Sequence, residues 1–129
     1  MPVTALYASL LALLFVYLAV RVIQLRREGR VAVGDGGKPL LLRRMRVHAN
    51  FAEYVPLSLI LMALAESLHT WQWLLHLLGI ALLVGRISHA YGVSQLEEPF
   101  IFRTIGMVAT FSVIAMAAAA CLAGSFNAG

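Results

Sequence analysis

Cysteine is almost missing from this chain: Cys121 is the only one among 129 residues. Intrachain disulfides need pairs and a thiolate metal site needs several ligands, so both are excluded. Charge is scarce too. Only 12% of residues are charged against 61% hydrophobic, and the mean hydropathy is +0.86. A soluble domain of this size needs more charge to cover its surface. Acids are scarcer than bases, six against ten, for a net charge of +4. That excess does not point to nucleic acid, because all ten Lys and Arg fall within 21–46 and 86–103. Basic residues gathered in two short windows between apolar runs mark the cytoplasmic loops of a membrane protein.

What is present are long apolar runs. Residues 2–20 carry no charge, and about 20 such residues span a hydrocarbon core of about 30 Å. A cleaved signal peptide would place its basic residues before the apolar run and a small-residue site after it; here the basic residues follow. The pattern predicts an all-α integral membrane protein, a single domain over 1–129 with helices at about 3–27, 41–68, 72–91 and 100–124. The basic windows then fall on one side. Loops 28–42 and 92–99 are expected in the cytoplasm and both termini opposite. Trp71 and Trp73 suit the far headgroup belt, and Pro99 the first turn of the fourth helix. The run Gly34-Asp35-Gly36-Gly37-Lys38-Pro39 lacks the GK[ST] ending and preceding strand of a phosphate loop, and reads as a surface turn.

The second helix is the anomaly. Arg43, Arg44, Arg46, His48, Asn50 and Glu53 precede an apolar stretch of only 12 uncharged residues, 54–65. Such a helix spans only if its polar half is shielded from lipid, and Pro56 leaves one backbone carbonyl without its helical partner. Arg46, Asn50 and Glu53, at i, i+4 and i+7, share one face. Ionisable groups at this depth face a bundle interior or a wet cavity; the competing reading is an Arg–Glu network that only holds helices together. Arg86 and His89 form a second polar pair near the same end of the third helix. Arg26 ends the first helix, and Arg103 lies one turn into the fourth. Arginines from four helices at one depth suggest an anion site, and with one Glu and one Asn they suit a ligand bearing carboxylates and an amine.

Residues 46–56, Arg-Val-His-Ala-Asn-Phe-Ala-Glu-Tyr-Val-Pro, resemble the signature R-x-x-x-N-x-x-E-x-x-P of the MAPEG family, membrane-associated proteins in eicosanoid and glutathione metabolism. The four-helix pattern matches along nearly the whole chain, and the Gly-Asp-Gly-Gly loop looks like bacterial members. The resemblance implies a homotrimer binding glutathione between subunits near the cytoplasmic face of a bacterial inner membrane. It assigns glutathione binding to Arg46, Asn50, Glu53 and Tyr54, with Arg26 at the end of the first helix. Arg86 and His89 match the G-R-x-x-H pattern of the prostaglandin-synthase branch. Arg103 resembles an arginine that activates the glutathione thiol. Ala49 stands where some members have arginine, and Val93 and Met107 where that branch has tyrosines.

The implied activity is a glutathione-dependent transferase or peroxidase acting on lipophilic electrophiles that enter from the membrane lipid, with glutathione as co-substrate and no metal. One alternative is a non-catalytic glutathione- or lipid-binding scaffold. Another is a small proton-coupled exporter using Glu53, although the arginines crowding Glu53 suit a fixed ion pair better than a cycling proton.

Overall fold

The computed structural model describes residues 1–128. Four helices follow in order: α1 (Pro2–Gly29), α2 (Pro39–Ser67), α3 (Gln72–Val93) and α4 (Phe100–Ala128). Each is long and apolar enough to cross a membrane, and no strand occurs among the described residues. The ends have local causes. Pro2 and Pro39 sit at the first helical positions of α1 and α2, where a missing N–H costs nothing. Arg30 closes α1 in the left-handed conformation, φ 53°, and Val31 N–H donates to Arg26 O at 2.9 Å. α4 runs to Ala128, four residues beyond the expected 124. Gly124 permits this, because a Cβ there would lie 2.8 Å from Leu68 Cβ.

α2 and α3 form the middle of the bundle. α1 packs on both, α4 packs on both, and α1 and α4 do not touch among the described residues. The closest approach is between α3 and α4. A Cβ added at Gly106 would lie 2.6 Å from Gly85 O, and one at Gly85 would lie 2.8 Å from Ala109 Cβ. Small residues bring helix backbones together where lipid offers no hydrophobic drive for association. Leu11, Leu41, Met62, Leu75 and Leu82 are fully buried between the helices. Leu13, Val16, Ile60, Val84 and Val108 stand more than half exposed, as side chains facing hydrocarbon do.

The end opposite the basic loops is tied by polar contacts across the bundle. The Glu66 carboxylate accepts hydrogen bonds from Val3 N–H and Thr4 N–H, both at 2.9 Å. It caps the open N-terminus of α1, where negative charge is favoured. Tyr7 Oη and His76 Nδ1 are 2.8 Å apart, with the Tyr7 ring packed against Gly79, where a Cβ would clash with it. His69, in the left-handed region at φ 63°, turns the chain between α2 and α3. The rings of Trp71 and Trp73 stack there at 5.8 Å.

Candidate functional site

α2, α3 and α4 converge at the other end, around a cavity of about 330 Å³ lined by Arg46, Asn50, His89, Val93, Arg103 and Met107. A second hollow of about 310 Å³ shares Arg46, Val93 and Arg103 with it and adds Arg43 and Leu42. Arg46, Asn50, His89 and Arg103, predicted from the sequence as site residues, are thus brought together.

Behind the cavity lies Arg86, whose residue surface is only 1% exposed. Its Nη2 donates to Asn50 Oδ1 at 2.6 Å and lies 3.5 Å from His89 Nδ1. Its Nη1 donates to Thr110 Oγ1 at 3.3 Å, and that hydroxyl donates to Gly106 O at 2.7 Å. The guanidinium carbon sits 5.8 Å over the Phe51 ring. Every one of these partners is neutral or aromatic. No carboxylate pairs with Arg86 among the described residues, and its Nε is buried with no hydrogen-bond partner. A buried cation without a counter-ion is expensive.

Arg46 and Glu53 pair at 3.6 Å, with side chains 55% and 53% exposed. Arg46 bridges the cavity mouth to Glu53, which does not line the cavity. Tyr54 is half-buried and its ring meets Phe111 edge to face at 5.4 Å, outside the cavity lining. Arg26 lies elsewhere in the chain: its Nη1 donates to Gly34 O at 2.7 Å, and it lines a separate hollow with Arg27 and Arg30. A single chain does not bring Arg26 to the α2 residues.

Two contributors were missed in the sequence. Thr110, one turn beyond Gly106, holds Arg86 and reads in isolation as one hydroxyl in an apolar run. Glu98, in the α3–α4 loop, has a side chain 1% exposed. One oxygen, Oε1, accepts from Arg43 Nη1 at 2.8 Å and from Arg103 Nη2. Arg43 Nη1 also donates to Val93 O at 3.2 Å. The loop is therefore clamped to both α2 and α4. Burial alone would raise the Glu98 carboxyl, but hydrogen bonds and charge from Arg43 and Arg103 outweigh it and hold the carboxyl below its usual range. The acidic pair Glu97-Glu98 before Pro99, inside the second basic window, was the available signal.

The model of the MAPEG family matches residues 4–123. Two curated relatives from Escherichia coli, strains K12 and O6:H1, both named inner membrane protein YecN, are each 41% identical over 112 residues, covering 87% of this chain and 84% of theirs.

Proposed function

The chain belongs to the MAPEG family, and on that premise we propose that it is a membrane-bound, glutathione-dependent transferase or peroxidase. Its substrates are lipophilic electrophiles, and the thiolate is stabilised by Arg103. The observation that carries this reading is that Arg46 and Arg103 line one cavity, with Arg86 buried behind it, bonded to the lining Asn50 and lacking a counter-ion. The tripeptide supplies what that cluster lacks: two carboxylates for guanidinium pairing and a thiol that must ionise to react.

A cysteine-type thiol has a pKa of about 8.5, and lowering it by about 2 units takes ~2.7 kcal/mol of thiolate stabilisation. One guanidinium at a partly desolvated mouth supplies an effect of that order. In conjugation the thiolate sulfur forms a bond to the electrophilic carbon while the leaving group departs with its electron pair. In peroxide reduction two thiols are oxidised to a disulfide as the hydroperoxide becomes an alcohol and water.

Assembly is part of the proposal. Arg46 and Glu53 are more than half exposed in the single chain, and Glu53 stands about 21 Å along α2 from its start. Lipid does not accept an exposed ion pair at that depth, so another copy covers it. This supports a homotrimer with the site at the subunit junction, where Arg26 of a neighbouring copy has a place. The relatives' name, inner membrane protein, and the one-sided arginines support an inner-membrane protein with loops 28–42 and 92–99 in the cytoplasm.

One observation favours the non-catalytic alternative. Glu98 already sits on Arg103, which leaves less of its charge for a thiolate. Detergent-purified protein assayed with a generic aryl halide separates the two. Catalysis by the wild type, with Arg103→Leu cutting turnover roughly 30–150-fold, the equivalent of ~2–3 kcal/mol, and moving the pH optimum upward, supports the enzyme. Wild-type binding of glutathione without conjugation or peroxide reduction supports the scaffold.

A further inference from the structure

A guanidinium carries only N–H donors and no acceptor. Buried, it dictates which end each polar neighbour turns toward it. Arg86 lies behind the thiol cavity, 1% exposed, and four side-chain acceptors lie against it. They are Asn50 Oδ1 at 2.6 Å, Thr110 Oγ1 at 3.3 Å, His89 Nδ1 at 3.5 Å and Met107 Sδ at 4.0 Å. Asn50, His89 and Met107 are also cavity wall. The rest of that wall is Arg46, Arg103 and Val93, whose side chains hold no acceptor. The Val93 carbonyl already takes Arg43 Nη1 at 3.2 Å.

Two groups that ordinarily have a choice lose it here. An amide side chain can turn either end to a neighbour. The Asn50 nitrogen cannot face a donor at 2.6 Å, so its oxygen goes to Arg86 and Nδ2, with its hydrogens, is left for the cavity. An imidazole with one ring hydrogen can carry it on either nitrogen. On His89 Nδ1 that hydrogen would point at the Arg86 guanidinium. It therefore sits on Nε2, the edge left for the cavity.

Both freed donors are unused. Neither Asn50 Nδ2 nor His89 Nε2 bonds to protein among the described residues, although His89 is only 4% exposed. Polar groups at such burial normally find partners, and leaving them unmet is costly. What they ask for is an acceptor.

We propose that Arg86 is a positioning residue that sets specificity: by holding the oxygen of Asn50 and Nδ1 of His89, it leaves a cavity wall made only of donors, which selects a carboxylate of the ligand. A carboxylate brings acceptors at both oxygens and no hydrogen. Asn50 Nδ2, His89 Nε2 and a guanidinium of the wall can all be met by it. A carboxamide or an ammonium brings hydrogens that this wall cannot accept. The carboxylate charge also falls on the cavity side of Asn50, where it offsets the Arg86 cation that no acid pairs. That the carboxylate belongs to glutathione rests on the proposed function; the donor polarity of the wall does not.

The test has a ligand-free arm and a binding arm, both on detergent-purified protein. Nitrogen NMR of ring-labelled histidine, with the His89 signals identified by their loss in His89→Gln, reads the tautomer without any ligand. Wild type is expected to carry the ring hydrogen on Nε2 alone, and Arg86→Met to show a mixture of tautomers. A wild-type hydrogen on Nδ1 or on both nitrogens, or a tautomer unchanged in Arg86→Met, overturns the proposal. The binding arm compares glutathione by calorimetry with its diamide, in which both carboxylates are carboxamides. Asn50→Asp keeps the side-chain shape, gives Arg86 an acid and turns an acceptor to the cavity. It is expected to raise the melting temperature yet weaken glutathione about tenfold or more relative to the diamide, the effect of losing a charge-assisted hydrogen bond. Arg86→Met should narrow the preference for glutathione over the diamide by about tenfold, and Arg86→Lys should restore part of it. If Arg86→Met does not fold, the wild-type tautomer and Asn50→Asp still decide. Glutathione bound no better than the diamide, or both weakened equally by Asn50→Asp, overturns the proposal and leaves the proposed function standing. A wild type that binds neither probe overturns the proposed function and the carboxylate selection with it.

Discussion

At the scale of single residues, the site is a matter of which charges are matched. Arg86 is surrounded by Asn50, His89, Thr110 and Phe51 and has no acid. Arg103 and Arg43 share Glu98. Glu98 therefore does two jobs, neutralising the mouth of the cavity and fastening the α3–α4 loop. Its folded carboxyl titrates below the unfolded value of about 4.3. The sign follows from linkage: stability from Glu98 is fully present above about pH 4.3 and is lost as pH falls through the lower folded value. Glu98→Gln is expected to cost about 1–3 kcal/mol at neutral pH, seen as a lower melting temperature in detergent. The gap between variant and wild type should close as pH falls below about 4. A gap that is constant with pH would mean that the Glu98 charge contributes nothing.

At the scale of elements, the decisive contact is α3 against α4, because it carries Arg86 and His89 toward the helix that bears Arg103 and Thr110. Gly85 and Gly106 set that distance. Gly106→Leu is expected to force the helices apart and destabilise the fold by about 1–3 kcal/mol. The matching loss should appear in glutathione binding, since Thr110 would no longer reach Arg86. Unchanged melting and binding would show that the close approach is unimportant. Much at this scale was legible in the sequence. Apolar run length located α1, α3 and α4, because about 20 apolar residues are a physical requirement for crossing a bilayer; α2, with only 12 uncharged residues over 54–65, could be read as a span only with its polar half shielded from lipid. The i, i+4, i+7 spacing put Arg46 and Asn50 on the cavity face. The rest depended on which helices meet. Glu66 marked only the edge of an apolar stretch, and its role as the α1 cap needs the two ends side by side. Thr110 and Glu98 carry no spacing that ties them to Arg86 or Arg43, for those pairs lie 24 and 55 residues apart.

At the scale of the whole molecule, the charge distribution sets the orientation. The ten bases sit at one end of the bundle and its connecting loops, which predicts that end in the cytoplasm. Cysteines placed at Gly36 and at Ala128, in a background lacking Cys121, should react with an impermeant thiol reagent from opposite faces of the membrane. Reaction of both from one face would contradict four spans.

The arginine cluster as an anion site is the central claim, and calorimetric titration of the detergent-purified protein with glutathione tests it most directly. The wild type is predicted to bind. Arg46→Ala, checked as folded by its melting curve, should bind more than tenfold more weakly, a loss of at least about 1.4 kcal/mol. A wild type that takes up no glutathione, or an Arg46→Ala variant with unchanged affinity, would contradict the account and leave Arg46, Arg86 and Arg103 as charges that only hold the helices together.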